Sequence, residues 1–406
     1  MNKILHLGLG RFHRGHQAVY YQHTGEWKVI SSTMRSPEEK NKLKKTGLLY
    51  PVLEFTHEGE TLKWIDCIEE VLSLSEDLPR LLELMASPEI KIITLTVTEK
   101  GYCLNSSGGL DLSHQGIQHD QKNPENPVTA IGLLSFGLSK RKDKVTIISC
   151  DNLRENGNKL EAAVRSFSKS SGRFLPEISF PNTMVDRIVP ALLPEKIAEL
   201  EAYHNLSNSE IVATEKFSQW VIEDKFAGER PDWSKVGVQF VSDVRPFEEM
   251  KLRLLNASHS YLAYAGLNRG YSFVHEAIGD ENLLENVRHM MKVEVIPLLI
   301  LPFGFDIQKY TEDLIYRFQN NKLPHQLKQI AMDGSQKMPQ RIFSSIHEAR
   351  KSHRSHDILL KATDEWLNFL WNSKDQKIDD PKANELMAEI AQGKETWKRN
   401  LLAKLL

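Results

Sequence analysis

Cysteine is scarce: the chain has 3 in 406 residues, Cys67, Cys103 and Cys150, widely spaced and odd in number. Thiols so placed build neither a disulfide framework nor a cysteine zinc site, and they fit a reducing compartment. Net charge is scarce too. Lysine and arginine number 52 against 54 acidic residues, which leaves −2 and no general pull toward nucleic acid or an anionic membrane. Long apolar runs are missing, and the longest, VIPLLILPF from Val295 to Phe303, is far too short to cross a bilayer. The first residues show no charged segment leading into an apolar stretch, so a cytoplasmic protein acting on a small molecule is expected. No internal repeat or low-complexity tract is found.

What is present is material for a large core. With 40% hydrophobic residues over 406 positions, about two domains are expected. The chain begins KILHLGLGRFHRGHQAVYYQ, where an apolar segment from Ile4 to Leu7 meets Gly8 and Gly10 and runs into a helical pattern. Glycines at such a turn let the backbone approach a pyrophosphate, whose charge is met by N–H groups at the helix start. The glycine pattern is incomplete, because His13 stands where a third glycine belongs and Gly15 comes two residues later. By itself the segment fits a strand, turn and helix without a nucleotide equally well.

The alternation continues. WKVISST (Trp27 to Thr33), KIITLTVTEKGY and DKVTIISCDN read as further strands, with helical patterns such as EDLPRLLELMAS between them. An α/β architecture follows, a Rossmann-like doubly wound parallel sheet, whose ligands bind outside the carboxyl ends of the strands. Glu99, Lys100, Asp151 and Asn152 lie in loops at that rim. Beyond about residue 245 the strand-like runs give way to long helical patterns, ending in KETWKRNLLAKLL. Residues 1–245 are therefore expected as the nucleotide domain and 246–406 as a mostly α-helical second domain. Proline and glycine at PFGFD and DGSQKMPQ read as punctuation within it.

EEMKLRLLNASHSYLAYAG, Glu248 to Gly266, carries lysine, asparagine and histidine among apolar residues. At about 100° per residue, Asn256 lies about 140° and His259 about 80° from Lys251, so the three span less than half the helix. Glu248 joins the same side. A surface face with a Glu248–Lys251 pair and a core His259 satisfies the same spacing.

Lys251-x4-Asn256-x2-His259 resembles the signature of the polyol-specific long-chain dehydrogenases, the mannitol dehydrogenase family. GLGRFHRGHQAVY, TLTVTEKGYC, SCDNLRENG, FPNTMVDRIVP, WVIEDKFAGERPDW and QIAMDGSQKMPQR resemble family blocks in the same order, from Lys3 to about Arg341. CDNLRENG, MVDRIVPA and QIAMDGSQKMPQR are most similar to the branch that interconverts D-fructuronate and D-mannonate with NAD. Gln329 stands where the mannitol-specific members usually have arginine.

Oxidising a secondary alcohol needs a base for the hydroxyl proton while hydride leaves for the nicotinamide. The chain shows no obvious catalytic zinc site, so an amine is the candidate. Lys251 serves only if burial or a cationic cofactor ring brings its pKa down toward neutrality. The amides of Asn152 and Asn256 are candidate donors to the developing oxyanion, although either also fits a turn or cap. The resemblance implies that His259 binds a substrate hydroxyl and that Asp186 accepts one, with Arg187 beside it structural. It also implies a substrate contact for Lys337. With Arg341, that lysine could hold a uronate carboxylate, and a solvated cation is the other reading of Arg341. Gln329 would bond a sugar hydroxyl or fill the space of the absent arginine. Glu99 and Glu248 would relay the lysine's proton, unless they form surface ion pairs.

Gly8, Gly10, Phe12, His13 and Arg35 are the expected cofactor-binding residues. The second strand ends in SSTMRSPEE without the early acidic residue that would bond a ribose 2′-hydroxyl, and Arg35 tolerates a 2′-phosphate. The resemblance implies NAD ahead of NADP, and no metal. A dehydrogenase of neutral polyols, D-mannitol to D-fructose, carries the same lysine and asparagines. A nucleotide-binding sensor without turnover is the third reading.

Overall fold

The structure is a computed structural model, described for residues 2–105, 107–206, 210–374, 378–391 and 397–398. It divides into two compact units, one ending at Val244 and the other beginning at Arg245.

The first unit contains, in chain order, β1 (Lys3–Leu7), β2 (Lys28–Thr33), β3 (Tyr50–Phe55), β4 (Glu60–Ile65), β5 (Ile68–Ser73), β6 (Ile90–Leu95), β7 (Val145–Ser149), β8 (Ile178–Ser179), β9 (Thr183–Asp186), β10 (Val212–Glu215), β11 (Gln219–Glu223) and β12 (Gln239–Val241). Six of these pair in parallel in the order β5-β2-β1-β6-β7-β8. That is the 3-2-1-4-5-6 order of a doubly wound dinucleotide fold, with its switch point between β1 and β6. Such strands are covered on both faces, so they read as apolar runs without alternation, and every residue of Val145–Ser149 is buried. One face packs on Leu81, Leu84, Leu133, Leu160 and Phe167 from the intervening helices. The other packs on Tyr21, Trp220 and Trp233.

The simple strand-helix alternation missed an excursion. After β2, the chain forms the antiparallel pair β3–β4 and then returns as β5 to the sheet edge. YPVLEF and ETLKWI flank a turn at Gly59, which is a hairpin signal in the sequence itself. β10 extends that pair to a three-stranded sheet, and β9, β11 and β12 form another.

Among the described residues after Val244 there is no strand, only an isolated bridge from Phe273 to Gln326. Ala257–Asn268 is the central helix, buried at every position from Ala257 to Gly266. A helix buried all round belongs in a core, and this one packs on the helices Val274–Gly279, Leu327–Ala331 and Asp357–Asn372. Of the helical pattern Lys394 to Leu406, all but Trp397 and Lys398 lies outside the described residues.

Two expectations are corrected here. In DGSQKMPQ the break falls at Asp333, a left-handed residue between two helices, and the proline adds none: the helix from Gly334 to Met338 continues into a π-helical turn, Pro339–Phe343. Proline has no N–H to place in an α-ladder, so the hydrogen bonding is interrupted at that point while the helical path continues. The helix around Lys251 is also not uniformly α. Arg245–Met250 is α-helical, Lys251–Asn256 is a π-turn, and the α-helix resumes at Ala257.

Candidate active site

In the first unit, the turn after β1 is built around Gly8. Its φ is +107° and an added Cβ would overlap the Thr96 carbonyl, so neither the conformation nor the space admits another residue. Thr96 Oγ1 donates to the Gly8 carbonyl at 2.8 Å and lies 2.9 Å from His6 Nε2. Having given its only proton to Gly8, the threonine must accept from His6, which places the imidazole proton on Nε2. Burial drives the His6 pKa down to about 3, so the ring is neutral. At Gly10 an added Cβ would meet only the Gly8 carbonyl at 3.7 Å, so the outer side of the turn is open, and no side chain caps the helix Arg11–Gly15. These features fit a pyrophosphate.

Phe12 is half-buried on that helix and stacks on His16 at 5.1 Å. His13 does not face a ligand. Its ring is wholly buried, stacked 3.4 Å from His6 and 3.2 Å from Ser31 Oγ, so it packs the helix onto the sheet and leaves the list of cofactor contacts. A third glycine would do the same by letting the helix close on the strand. Arg35 is exposed just beyond β2, where the ribose would be read.

Asp151 ties together the ends of β6 and β7. Its carboxylate accepts from Val97 N at 3.1 Å, Thr98 N at 2.8 Å and the Tyr102 hydroxyl at 2.8 Å. Burial nevertheless raises its pKa to about 6. The arrangement brings Asn152 and Glu99, both exposed, to the carboxyl edge of two neighbouring strands. Asn156, which sequence reasoning passed over, is the staple of the CDNLRENG block. Its amide donates to the carbonyls of Ser149, Asp151 and Thr183 and accepts from Thr183 N at 2.9 Å. Thr183 opens β9, whose last residue is the buried Asp186. Arg187 turns the other way and is structural, holding Glu54 at 2.6 Å and the Gly15 carbonyl at 2.6 Å.

In the second unit, Glu248, Lys251, Asn256 and His259 are each between 7% and 9% exposed. The π-turn changes their geometry. One extra residue sets later positions back by about 100°, which places Asn256 about 40° and His259 about 20° from Lys251. The three therefore share a narrower side of the helix than α-geometry allows. Arg341, from the Pro339–Phe343 turn, is half-buried rather than a solvated cation, and it donates to the Asn256 carbonyl at 3.3 Å and Ser260 Oγ at 3.1 Å. Lys337 reaches the Ile330 carbonyl at 3.2 Å. Gln329 is exposed on the helix Leu327–Ala331.

His259 lies 5.5 Å from His325, ring edge to ring face at 87°, and 4.8 Å from Phe318. Burial first, then the charges of His325, Arg317, Arg341 and Lys251, push the His259 pKa well below the usual imidazole range. Burial, with Lys337 nearby, lowers that of His325 to about 4. His259 Nε2 and His325 Nδ1 are shielded from solvent and find no hydrogen-bond partner among the described residues. Leaving such an atom unsatisfied costs on the order of 1–3 kcal/mol. His325 and Arg317 were not singled out from the sequence, although His325 stands only four residues before Gln329. Among the described residues no three histidine, cysteine or acidic side chains are grouped to hold a metal, and no helix is long and apolar enough to cross a membrane.

Residues 2–235 match the mannitol dehydrogenase Rossmann domain and residues 243–405 the mannitol dehydrogenase C-terminal domain. The chain belongs to the mannitol dehydrogenase family. It is thus an oxidoreductase acting on secondary alcohols, with the Rossmann fold of that family, as the ordered motifs implied. It is 40% identical to the D-mannonate oxidoreductase of Escherichia coli K12 over 408 residues, covering 96% of this chain and 84% of the relative. It is 34% identical to a mannitol 2-dehydrogenase of Phaeosphaeria nodorum, covering 95% of this chain and 72% of that one. The Pseudomonas fluorescens mannitol 2-dehydrogenase, solved as a ternary complex with NAD and D-mannitol, superposes with a TM-score of 0.87 at 32% identity, over 99% of this chain and 86% of that one.

Proposed function

We propose that this member of the mannitol dehydrogenase family interconverts D-fructuronate and D-mannonate, without a metal, using NAD ahead of NADP. The observation that carries the reading is the set of cations around the His259–His325 pair: Arg317, Arg341 and Lys251 act on the first ring and Lys337 on the second. A sugar acid brings these groups a carboxylate, which a neutral polyol lacks, and charge-assisted hydrogen bonds are the stronger kind. The identity with the D-mannonate oxidoreductase supports the same choice.

In the oxidative direction the alcohol loses a proton from oxygen and a hydride from carbon. Bound NAD supplies the hydride acceptor. The Lys251 amine takes the proton, and its ammonium returns it to the carbonyl oxygen in reduction. Asn256 and Asn152 donate to the oxygen as charge develops on it. Glu248 and Glu99 pass the lysine's proton to solvent. Asp186, His259 and Gln329 bind substrate hydroxyls, and Lys337 takes the carboxylate. Arg341 reinforces the positive field while fixing the turn that carries Asn256.

The mannitol 2-dehydrogenase relatives favour a second reading, a dehydrogenase of neutral polyols. NADH oxidation with D-fructuronate and with D-fructose separates the two. The expected kcat/KM ratio is about 100-fold in favour of the acid, the worth of one charge-assisted contact. Preference for the neutral sugar selects the second reading. NAD is expected to outperform NADP, and Arg35→Ala to lower any NADP activity about 10-fold while sparing NAD.

A further inference from the structure

The second unit sets beside a histidine that the reading above uses another that it does not. His259 lies on the central helix. His325 lies on a separate segment whose backbone is pinned, with Val274 N donating to the His325 carbonyl at 3.0 Å and Leu327 N to the Ser272 carbonyl at 2.9 Å. Two elements thus bring the rings to 5.5 Å, edge to face, each with a shielded nitrogen that has no hydrogen-bond partner among the described residues. A single such atom is unremarkable, but a matched pair on adjacent rings points to a shared occupant.

The charge state indicates what that occupant offers. Both rings are held neutral, by burial first and by the surrounding cations next. A neutral imidazole carries one donor and one acceptor, as a hydroxyl does, whereas an imidazolium can only donate. The carboxylate of a sugar acid is better served by Lys337, so the rings are left for the hydroxyls. A metal is a poor fit, because no third ligand of the histidine, cysteine or acidic type joins the pair among the described residues.

We propose that His325 is a second substrate-binding histidine, and that His259 Nε2 and His325 Nδ1 hold neighbouring hydroxyls of one polyhydroxy chain. This rests on the function proposed above, since it assigns the hydroxyls of the same substrate.

The test uses the full chain with His325→Phe and His325→Gln, measuring KM and kcat for D-mannonate at saturating NAD, NADH affinity by fluorescence titration, and thermal stability. Loss of one hydrogen bond made in ground and transition states should raise KM about 10-fold in the Phe variant with kcat little changed. NADH affinity should stay within about 2-fold of the parent, because the role is confined to substrate. The Gln variant, which can donate and accept, should recover most of the KM. Combined with His259→Phe, the loss should be less than the product of the two single losses, as for contacts to one flexible chain. An unchanged KM in His325→Phe overturns the proposal. So does an equal loss in the Phe and Gln variants accompanied by lower stability, which would mark His325 as packing. If the parent instead prefers D-mannitol, the proposed substrate is wrong, and the same variants assayed on D-mannitol still decide the role of His325.

Discussion

The Arg341 guanidinium donates to the backbone carbonyl of Asn256 at 3.3 Å, tying one π-helical turn to another. The same nitrogen reaches Ser260 Oγ at 3.1 Å, so a single side chain spans the point where the π-turn returns to α-helix. Arg341→Ala should therefore lower the unfolding free energy of the ligand-free protein by about 1.5–3 kcal/mol, the range for hydrogen bonds to a charged group. Urea denaturation measures this. An unchanged midpoint and slope would mean that the contact does not hold the turn.

Lys251→Ala should slow turnover by about 100- to 10,000-fold, the range for loss of a general acid–base. NADH affinity, read by fluorescence titration, should remain within about 2-fold, because the amine acts only in the chemical step. Normal turnover with weakened NADH binding would place the lysine on the cofactor instead.

Two glycines of one turn should respond differently. Gly8→Ala forces a side chain into a positive-φ position against the Thr96 carbonyl, and should destabilise the protein by about 3 kcal/mol or more. Gly10→Ala meets only the Gly8 carbonyl at 3.7 Å, so the variant should melt like the parent. Its added methyl lies on the open side of the turn and should weaken NADH binding about 10-fold. Equal melting temperatures for the two variants would contradict the geometry.

Asp151 gives a pH signature. Its folded pKa of about 6 lies above the ordinary aspartate value of 3.8, so between these values the folded chain holds a proton that the unfolded chain has released. Stability falls with rising pH wherever the folded state binds more protons, so the contribution of Asp151 is fully present below about pH 4 and is lost as pH rises through about 6. Asp151→Asn should remove that slope from the stability profile, measured by denaturation across the range. A parent profile that rises from pH 4 to 6, and an Asn variant with the same slope, would show that Val97, Thr98 and Tyr102 outweigh burial in setting this group.

The parallel sheet was legible because its strands are apolar without alternation and end in glycine or polar rim residues, as at Gly8 and Asp151. The β3–β4 excursion was signalled by a Gly59 turn but departed from strand-helix alternation. Lys251, Asn256 and His259 were legible as a set. Their angular relation was not, because an α-helical count of residues carries no record of a π-turn.

Residue order alone determined the family and the glycine turn after the first strand, and it marked Lys251, Asn256 and His259 as candidates, since each depends on local spacing along a strand, turn or helix. Tertiary packing decided that His13 lies beneath its helix, that Arg341 braces Asn256, and that His325 meets His259. Burial and long-range contact set those roles, and both arise only when segments far apart in the chain are brought together.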